Sequence, residues 1–300
     1  MKVLQVITGL QRAAGTSVFC GEIANQLVAN GHECIIVLPY INQEEKYQVD
    51  ARVKVISKAE LKKSKWVPDV VHIHGLWSPQ LHFMVQLAKQ YKTPIVWSPH
   101  GMLAPWALRH KWFKKKLSWV LWQKRDLQRA KLFHVTSSEE SQWIHSLGFS
   151  QSTSIVPLGT SMPRRGAQHD ITIKTILFVG RIYPVKGLVN LIKAFAMLRK
   201  DAQWSDWRVV IVGPNQAGHQ EELESLAQEL GLVTVRDSYT SNSVADILFT
   251  GALFGVEKDN AYRSASCFVL PSFTENFGGV VIDALSFGVP VLASVATPWG

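Results

Sequence analysis

Short runs rich in Val, Ile and Leu alternate along this chain with longer amphipathic stretches. Residues 2–8, 34–39, 52–56, 70–74, 94–98, 132–136 and 154–157 form one series of such runs, and 175–180, 208–213, 249–254, 267–271 and 289–294 a second. Between them lie helical segments: residues 16–30 stop at Gly31, and 188–199 and 220–230 carry a clear helical period. Strand and helix in alternation predict parallel, doubly wound α/β sheets. Residues 237–246 are polar without a firm period and are assigned to neither state. The two series are separated by residues 159–174, GTSMPRRGAQHDITIK, whose Pro, Gly and paired Arg read as a linker. Two domains are expected, 1–160 and 170–300.

Composition agrees with that division. Three hundred residues, 47% hydrophobic and 18% charged, suffice for two ordinary cores. No apolar run reaches the roughly 18 residues that span a bilayer, and MKVLQVITGLQ leads directly into a strand, so the expectation is a cytoplasmic protein. Cys20, Cys34 and Cys267 are odd in number and in no metal spacing, which makes them reduced, buried small hydrophobes. Residues 1–160 hold 20 Lys/Arg against 10 Asp/Glu, whereas 161–300 hold 12 against 13. The positive excess therefore belongs to the first half and asks for an anionic partner there: nucleic acid, a membrane surface or a phosphorylated acceptor.

Two segments of the second half carry the chemistry. Residues 271–290, PSFTENFGGVVIDALSFGVP, take an apolar strand into a polar, glycine-containing turn that opens a helix, a turn suited to an anionic or hydroxylated ligand. Residues 178–187, FVGRIYPVKG, end a second strand in glycine and place Arg181 and Lys186 before another helix. Arginine offers a planar fork to two phosphate oxygens and lysine a mobile point charge to a third. Two solvated loop charges are the plain alternative.

These segments resemble the donor site of the retaining nucleotide-sugar glycosyltransferases of glycosyltransferase family 4, which have the GT-B fold of two Rossmann-like domains facing across a cleft. The resemblance implies that Arg181 and Lys186, matching the family's GRxxxxKG, stabilise the nucleoside diphosphate as it departs. Glu275 would bind hydroxyls of the donor sugar, and Asn276, Phe277, Gly278 and Gly279 would bring backbone amides close to it. Asp283 stands eight residues after Glu275, where the family has a second glutamate at the ribose, and it is one methylene shorter. A helix-surface aspartate is the other reading. No Asp-x-Asp is present, so no metal or other cofactor is expected. The family continues beyond the point where residues 289–300 stop, which implies an incomplete second domain and a poorly active product.

In the first half, Gly15, Thr16 and Ser17 open a helix after the first strand and can offer amides and hydroxyls to a phosphate; an N-cap by Thr16 or Ser17 explains them equally. Ala14 stands where relatives have one of paired glycines. His100 follows the 94–98 strand, where the resemblance implies a histidine near the donor sugar and the incoming acceptor, and His74 ends the preceding strand. A structural hydrogen-bonding histidine is the alternative.

Residues 105–131 interleave Trp106, Trp112, Trp119 and Trp122 with nine Lys/Arg, among them Lys114, Lys115 and Lys116. On a helix, Phe113, Leu117, Val120, Leu121 and Leu127 make an apolar stripe expected to face the core. Trp112, Trp119 and Trp122 then fall among cations, a composition suited to anionic lipid, against the alternative of a solvated helix with packed tryptophans. The expectation is a metal-independent, retaining hexosyltransferase, peripheral to the inner face of the membrane, acting on a lipid-linked or surface-polysaccharide (lipopolysaccharide or exopolysaccharide) acceptor. Other readings are a GT-B epimerase or phosphorylase and a nucleic-acid-binding protein using the Trp/Lys helix. The last leaves Arg181, Lys186 and Glu275 without a role, so nucleic acid is not expected as a partner. Glycoside hydrolysis has no use for the two cations.

Overall fold

The computed structural model describes residues 1–12, 14–39, 47–157, 159–160, 173–237, 239 and 245–299. Its contacts divide the chain into two compact units, Met1–Leu158 and Gly159–Gly300. Most of the linker read in the sequence, residues 161–172, lies outside the described residues, as does most of the 237–246 segment.

The first unit is built on strands β1 Lys2–Val6, β2 Glu33–Leu38, β3 Lys54–Ser57, β4 Val70–His74, β5 Ile95–Ser98, β6 Leu132–Val135 and β7 Ser152–Ile155. All pair in parallel, in the order β3-β2-β1-β4-β5-β6-β7. Helices α1 Gly15–Ala29, α2 Lys58–Lys63, α3 Pro79–Gln90, α4 Pro105–Arg109, α5 Trp112–Ser118, α6 Lys124–Leu127 and α7 Ser138–Ser146 connect them. Strand β2, ECIIVL, shows why its sequence reads apolar throughout. Cys34, Ile36 and Leu38 join the core with Cys20, Ala24 and Val28 of α1, while Ile35 and Val37 join the core of Trp97, Phe133 and Leu127 on the other side. A strand covered on both faces has no position left for alternation. Cys20 and Cys34 are buried free thiols, Cys267 a half-buried one, and burial raises the pKa of all three, Cys34 to about 12.

The second unit repeats the plan with β8 Lys174–Val179, β9 Trp207–Val212, β10 Thr234–Arg236, β11 Ile247–Gly251, β12 Cys267–Leu270 and β13 Val291–Ala293, parallel in the order β10-β11-β9-β8-β12-β13. Helices α8 Leu188–Leu198, α9 His219–Glu229, α10 Val256–Arg263 and α11 Gly279–Ser286 pack on it. Its core joins Phe178, Val210, Ile211 and Phe268 to Leu191, Ile192 and Phe195 of α8. Each such buried side chain contributes about 1.5–3 kcal/mol. The sequence missed β10, α2 and α10, all short, and placed β11 two residues late.

The 105–131 segment departs most from expectation. It breaks at Lys111, whose φ of 52° starts α5 afresh, and Trp119–Gln123 form a π-helical turn between α5 and α6. Phe113, Leu117, Val120 and Leu121 are 68%, 55%, 66% and 55% exposed, and of the expected inward stripe only Leu127 is buried. Trp119 instead packs against Trp77 and Phe149, and Trp122 lies beside His82. The inward face carries polar residues too: buried Gln123 accepts from the Trp77 amide at 2.8 Å, and buried Asp126 pairs with His82 Nδ1 at 2.7 Å. Indole rings remove more apolar area from water than the aliphatic residues they displace. The two hydrogen-bonded anchors fix the rotation of the segment. Trp119 and Trp122 are therefore packing residues, while Trp112 stays exposed among the lysines and Lys115 donates to the Ala107 carbonyl.

Candidate active site

Ligand sites in doubly wound sheets lie beyond the carboxyl ends of strands where the strand order reverses. In the second unit that point falls between β8 and β12, which are neighbours in the sheet although they are far apart in sequence. Arg181 and Lys186 follow β8, and Glu275 follows β12. The two loops are stitched by a hydrogen bond from the Phe273 amide to the Val185 carbonyl at 2.9 Å. Gly187, at φ 68°, allows this approach, since a Cβ there would overlap the carbonyl of Pro271.

As a result the Lys186 Nζ donates to Glu275 Oε2 at 2.5 Å, with side chains 13% and 17% exposed. The Ser272 hydroxyl donates to the same oxygen at 3.4 Å. Arg181 is exposed and donates to Gln216 Oε1 at 2.9 Å. Helices α8 and α11 have Gly187 and Gly278 at their N-cap positions, neither of which supplies a side-chain cap, so both first turns present backbone amides near these charges. Gly278 has φ 75°, and Phe277 is buried against Trp299, whose indole nitrogen donates to the Phe277 carbonyl. Asn276 lies in the same turn, and Gly279 is the first residue of α11. Asp283 lies on α11 with both oxygens engaged: Oδ2 accepts from Lys258 Nζ at 2.7 Å and Oδ1 from the Thr160 hydroxyl at 2.8 Å.

In the first unit the reversal falls between β1 and β4. Gly15 opens α1 with Ala14 at the N-cap position, so neither Thr16 nor Ser17 is the cap. Ser17 is buried and architectural: its hydroxyl donates to the Gly9 carbonyl and accepts from the Gln11 amide, both at 3.0 Å. His100 follows β5 with φ 55°, a strained conformation for a residue other than glycine, of order 1–3 kcal/mol. Its neighbour Gly101 donates its amide to buried Glu140 at 2.6 Å, which pins the turn to α7.

His72 and His74 are two apart on β4 and share one sheet face, and the register Gln5↔His72 brings Gln5 of β1 to that face. His74 Nε2 lies 2.6 Å from Gln5 Oε1, and His74 Nδ1 lies 2.9 Å from His100 Nε2. Phe19 of α1 meets the rings of His74, His100 and His134. His74 is buried, so it stands behind His100 and does not itself line a surface. Burial pushes the pKa of His72 and His74 well below the ordinary histidine value and that of His100 down to about 3, with the neighbouring rings adding to each shift.

Sequence reasoning missed Gln5, Glu140, Gln216, Lys258 and Thr160. Gln5 alone left a signal, a polar residue at the centre of the apolar run KVLQV. Among the described residues no helix is long and apolar enough to cross a membrane.

Comparison with known proteins identifies the family and the fold. The family described as Glycosyltransferase Family 4 matches residues 13–162, and that described as Glycosyl transferases group 1 matches 164–298. An uncharacterized glycosyltransferase of Haemophilus influenzae is 30% identical over 168 residues, 56% of this chain and 42% of its own length. A D-inositol 3-phosphate glycosyltransferase of Nocardia farcinica is 28% identical over 243 residues, 75% of this chain and 51% of its own. The chain thus spans about half the length of the curated relatives it matches. Among solved structures, sucrose-phosphate synthase from Thermosynechococcus elongatus superposes with a TM-score of 0.76 at 19% identity, over 99% of this chain and 82% of that one. WaaG, a glycosyltransferase involved in lipopolysaccharide biosynthesis, gives 0.71 at 14% identity, over 99% and 82%. Anabaena HepE in complex with UDP-glucose gives 0.73 at 16%, over 99% and 81%. The chain belongs to glycosyltransferase family 4, and its two parallel-sheet units have the GT-B fold.

Proposed function

We propose that this protein takes part in retaining, metal-independent transfer of a hexosyl group from a nucleoside-diphosphate sugar to a lipid-linked or surface-polysaccharide acceptor. The observation that carries the reading is the junction of the Lys186 and Glu275 loops at the β8/β12 reversal, with Arg181 on the same loop as Lys186. A cation and a carboxylate side by side suit a ligand that is anionic at one end and hydroxylated at the other. With donor bound, the Lys186 ammonium and Arg181 would face the diphosphate, Glu275 would accept from sugar hydroxyls, and the amides at Asn276 to Gly279 would lie against the sugar phosphate. Asp283 and its partner Lys258 would meet the ribose. His100 is read as the catalytic histidine near the donor sugar and the incoming acceptor hydroxyl, and Gly15 and Thr16 at the start of α1 as contacts of the donor phosphate.

The membrane part of the proposal keeps Trp112, Lys114 and Lys116 and exchanges the packed Trp119 and Trp122 for exposed aliphatic and aromatic neighbours. Phe113, Leu117, Val120 and Leu121 are exposed together with Trp112, beside exposed Lys111, Lys114, Lys116 and Lys124. An apolar stripe flanked by lysines suits the headgroup region of an anionic bilayer, and it supports placement at the inner membrane face.

Binding and transfer assays test this reading. A panel of sugar nucleotides should contain at least one that raises the melting temperature by mass action, and Arg181→Ala and Lys186→Ala should each lower transfer at least about a hundredfold. Transfer should persist in EDTA, and the product should keep the anomeric configuration of the donor. Near-normal turnover by both variants would reject the donor site, and loss of activity that magnesium restores would reject metal independence. Conversion of the donor with no acceptor present would favour an epimerase instead.

A further inference from the structure

The chain Gln5, His74, His100 fixes more than the position of a ring. A carboxamide oxygen can only accept, so the His74 Nε2 that lies 2.6 Å from Gln5 Oε1 carries the proton. His74 is 1% exposed and held neutral by its burial, so it has a single N–H and its Nδ1 is a lone pair. That lone pair faces His100 Nε2 at 2.9 Å, so His100 Nε2–H donates to it. A neutral His100 then has a bare Nδ1. The ring lies nearly coplanar with that of His74, edge to edge with planes 16° apart and centroids 5.2 Å apart, and is held by the edge contact with Phe19, at 5.0 Å and 80°. Its backbone is held by the Gly101 to Glu140 hydrogen bond.

We infer that Gln5 and His74 are positioning residues, a relay that sets His100 in the Nε2–H tautomer and so makes its Nδ1 the acceptor offered to a substrate hydroxyl. A free neutral imidazole exchanges between two tautomers, and only one of them offers a lone pair at Nδ1. The strained turn at His100 and the buried amide oxygen of Gln5 are both accounted for by this task, while Gln5 Nε2 has no hydrogen-bond partner among the described residues. The inference rests on the reading of His100 as part of the transferase site.

Long-range 15N–1H spectra of the histidine-labelled protein read the tautomer directly, with the His100 signals assigned by their loss in His100→Gln. Wild type should show His100 as the single Nε2–H form at neutral pH. His74→Leu removes the acceptor and should give a mixture of both forms. In His74→Asn the amide oxygen takes the place of Nδ1, and the single form should return. Gln5→Leu should release His74 and through it His100, giving the mixture again. Wild-type His100 as the Nδ1–H form, which the reversed Gln5 amide would impose along the same chain, would overturn the inference; so would a single unchanged tautomer in His74→Leu. These spectra need no substrate, so they stand or fall separately from the sugar-nucleotide screen. With an acceptor in hand, transfer should fall in His74→Leu and recover in His74→Asn.

Discussion

Gly187 shows how one residue can join two motifs. Its φ of 68° and the Pro271 carbonyl in the space a Cβ would need leave glycine as the residue that fits there. Gly187→Ala should separate the Lys186 and Glu275 loops and destabilise the protein by about 1–3 kcal/mol. Gly15 is the contrast within the same fold, because a Cβ there meets nothing within 4 Å. Gly15→Ala should change stability by no more than about 0.5 kcal/mol. Urea denaturation of both variants makes the comparison, and equal stabilities would show that the second unit relaxes around residue 187. The motif GRxxxxKG was legible in the sequence, but the reason for its last glycine was not. It lies in a contact with a loop more than eighty residues away.

At the scale of elements, the α5 to α6 segment separates two kinds of aromatic residue that look alike in sequence. Trp119 is packed against Trp77 and Phe149, so Trp119→Ala should cost about 3 kcal/mol and lower the melting temperature. Replacing Phe113, Leu117, Val120 and Leu121 together by serine should leave stability nearly unchanged and abolish sedimentation with anionic liposomes. Binding by wild type should weaken with salt, because surface charge is screened over about 8 Å at physiological ionic strength. Equal liposome binding by wild type and the serine variant would show that the exposed stripe has another use. Helical periodicity located the element and its apolar content. It could not choose the buried side, since the π-helical turn and the Gln123 and Asp126 hydrogen bonds set the rotation.

For the whole molecule, the histidine cluster makes the first unit sensitive to acid. Burial depresses the folded-state pKa of His72 and His74, so below the ordinary value of about 6.5 the unfolded chain binds more protons than the folded one. Stability therefore falls as pH falls through that value, by up to about 1.4 kcal/mol per pH unit for each ring. For His100, with its folded-state pKa lowered to about 3, the loss runs down to about pH 3. Urea midpoints measured at pH 7, 6 and 5 should decline steadily. A flat profile between pH 7 and 5 would show that these rings take up protons without unfolding.

The sequence alone determined the alternation of strand and helix, the two parallel sheets and the loops that carry Arg181, Lys186, Glu275 and His100. Those features are local: a strand, a helix start or a glycine turn is written in residues a few positions apart. Strand order is not local, and it decided which of those loops became neighbours. Lys186 meets Glu275 across 89 residues, and His74 meets Gln5 across 69, because β8 lies beside β12 and β1 beside β4. Packing likewise chose which face of the basic helix is buried and gave Asp283 its Lys258 and Thr160 partners. These outcomes depend on how whole elements fill the space between them, and no stretch of sequence records that by itself.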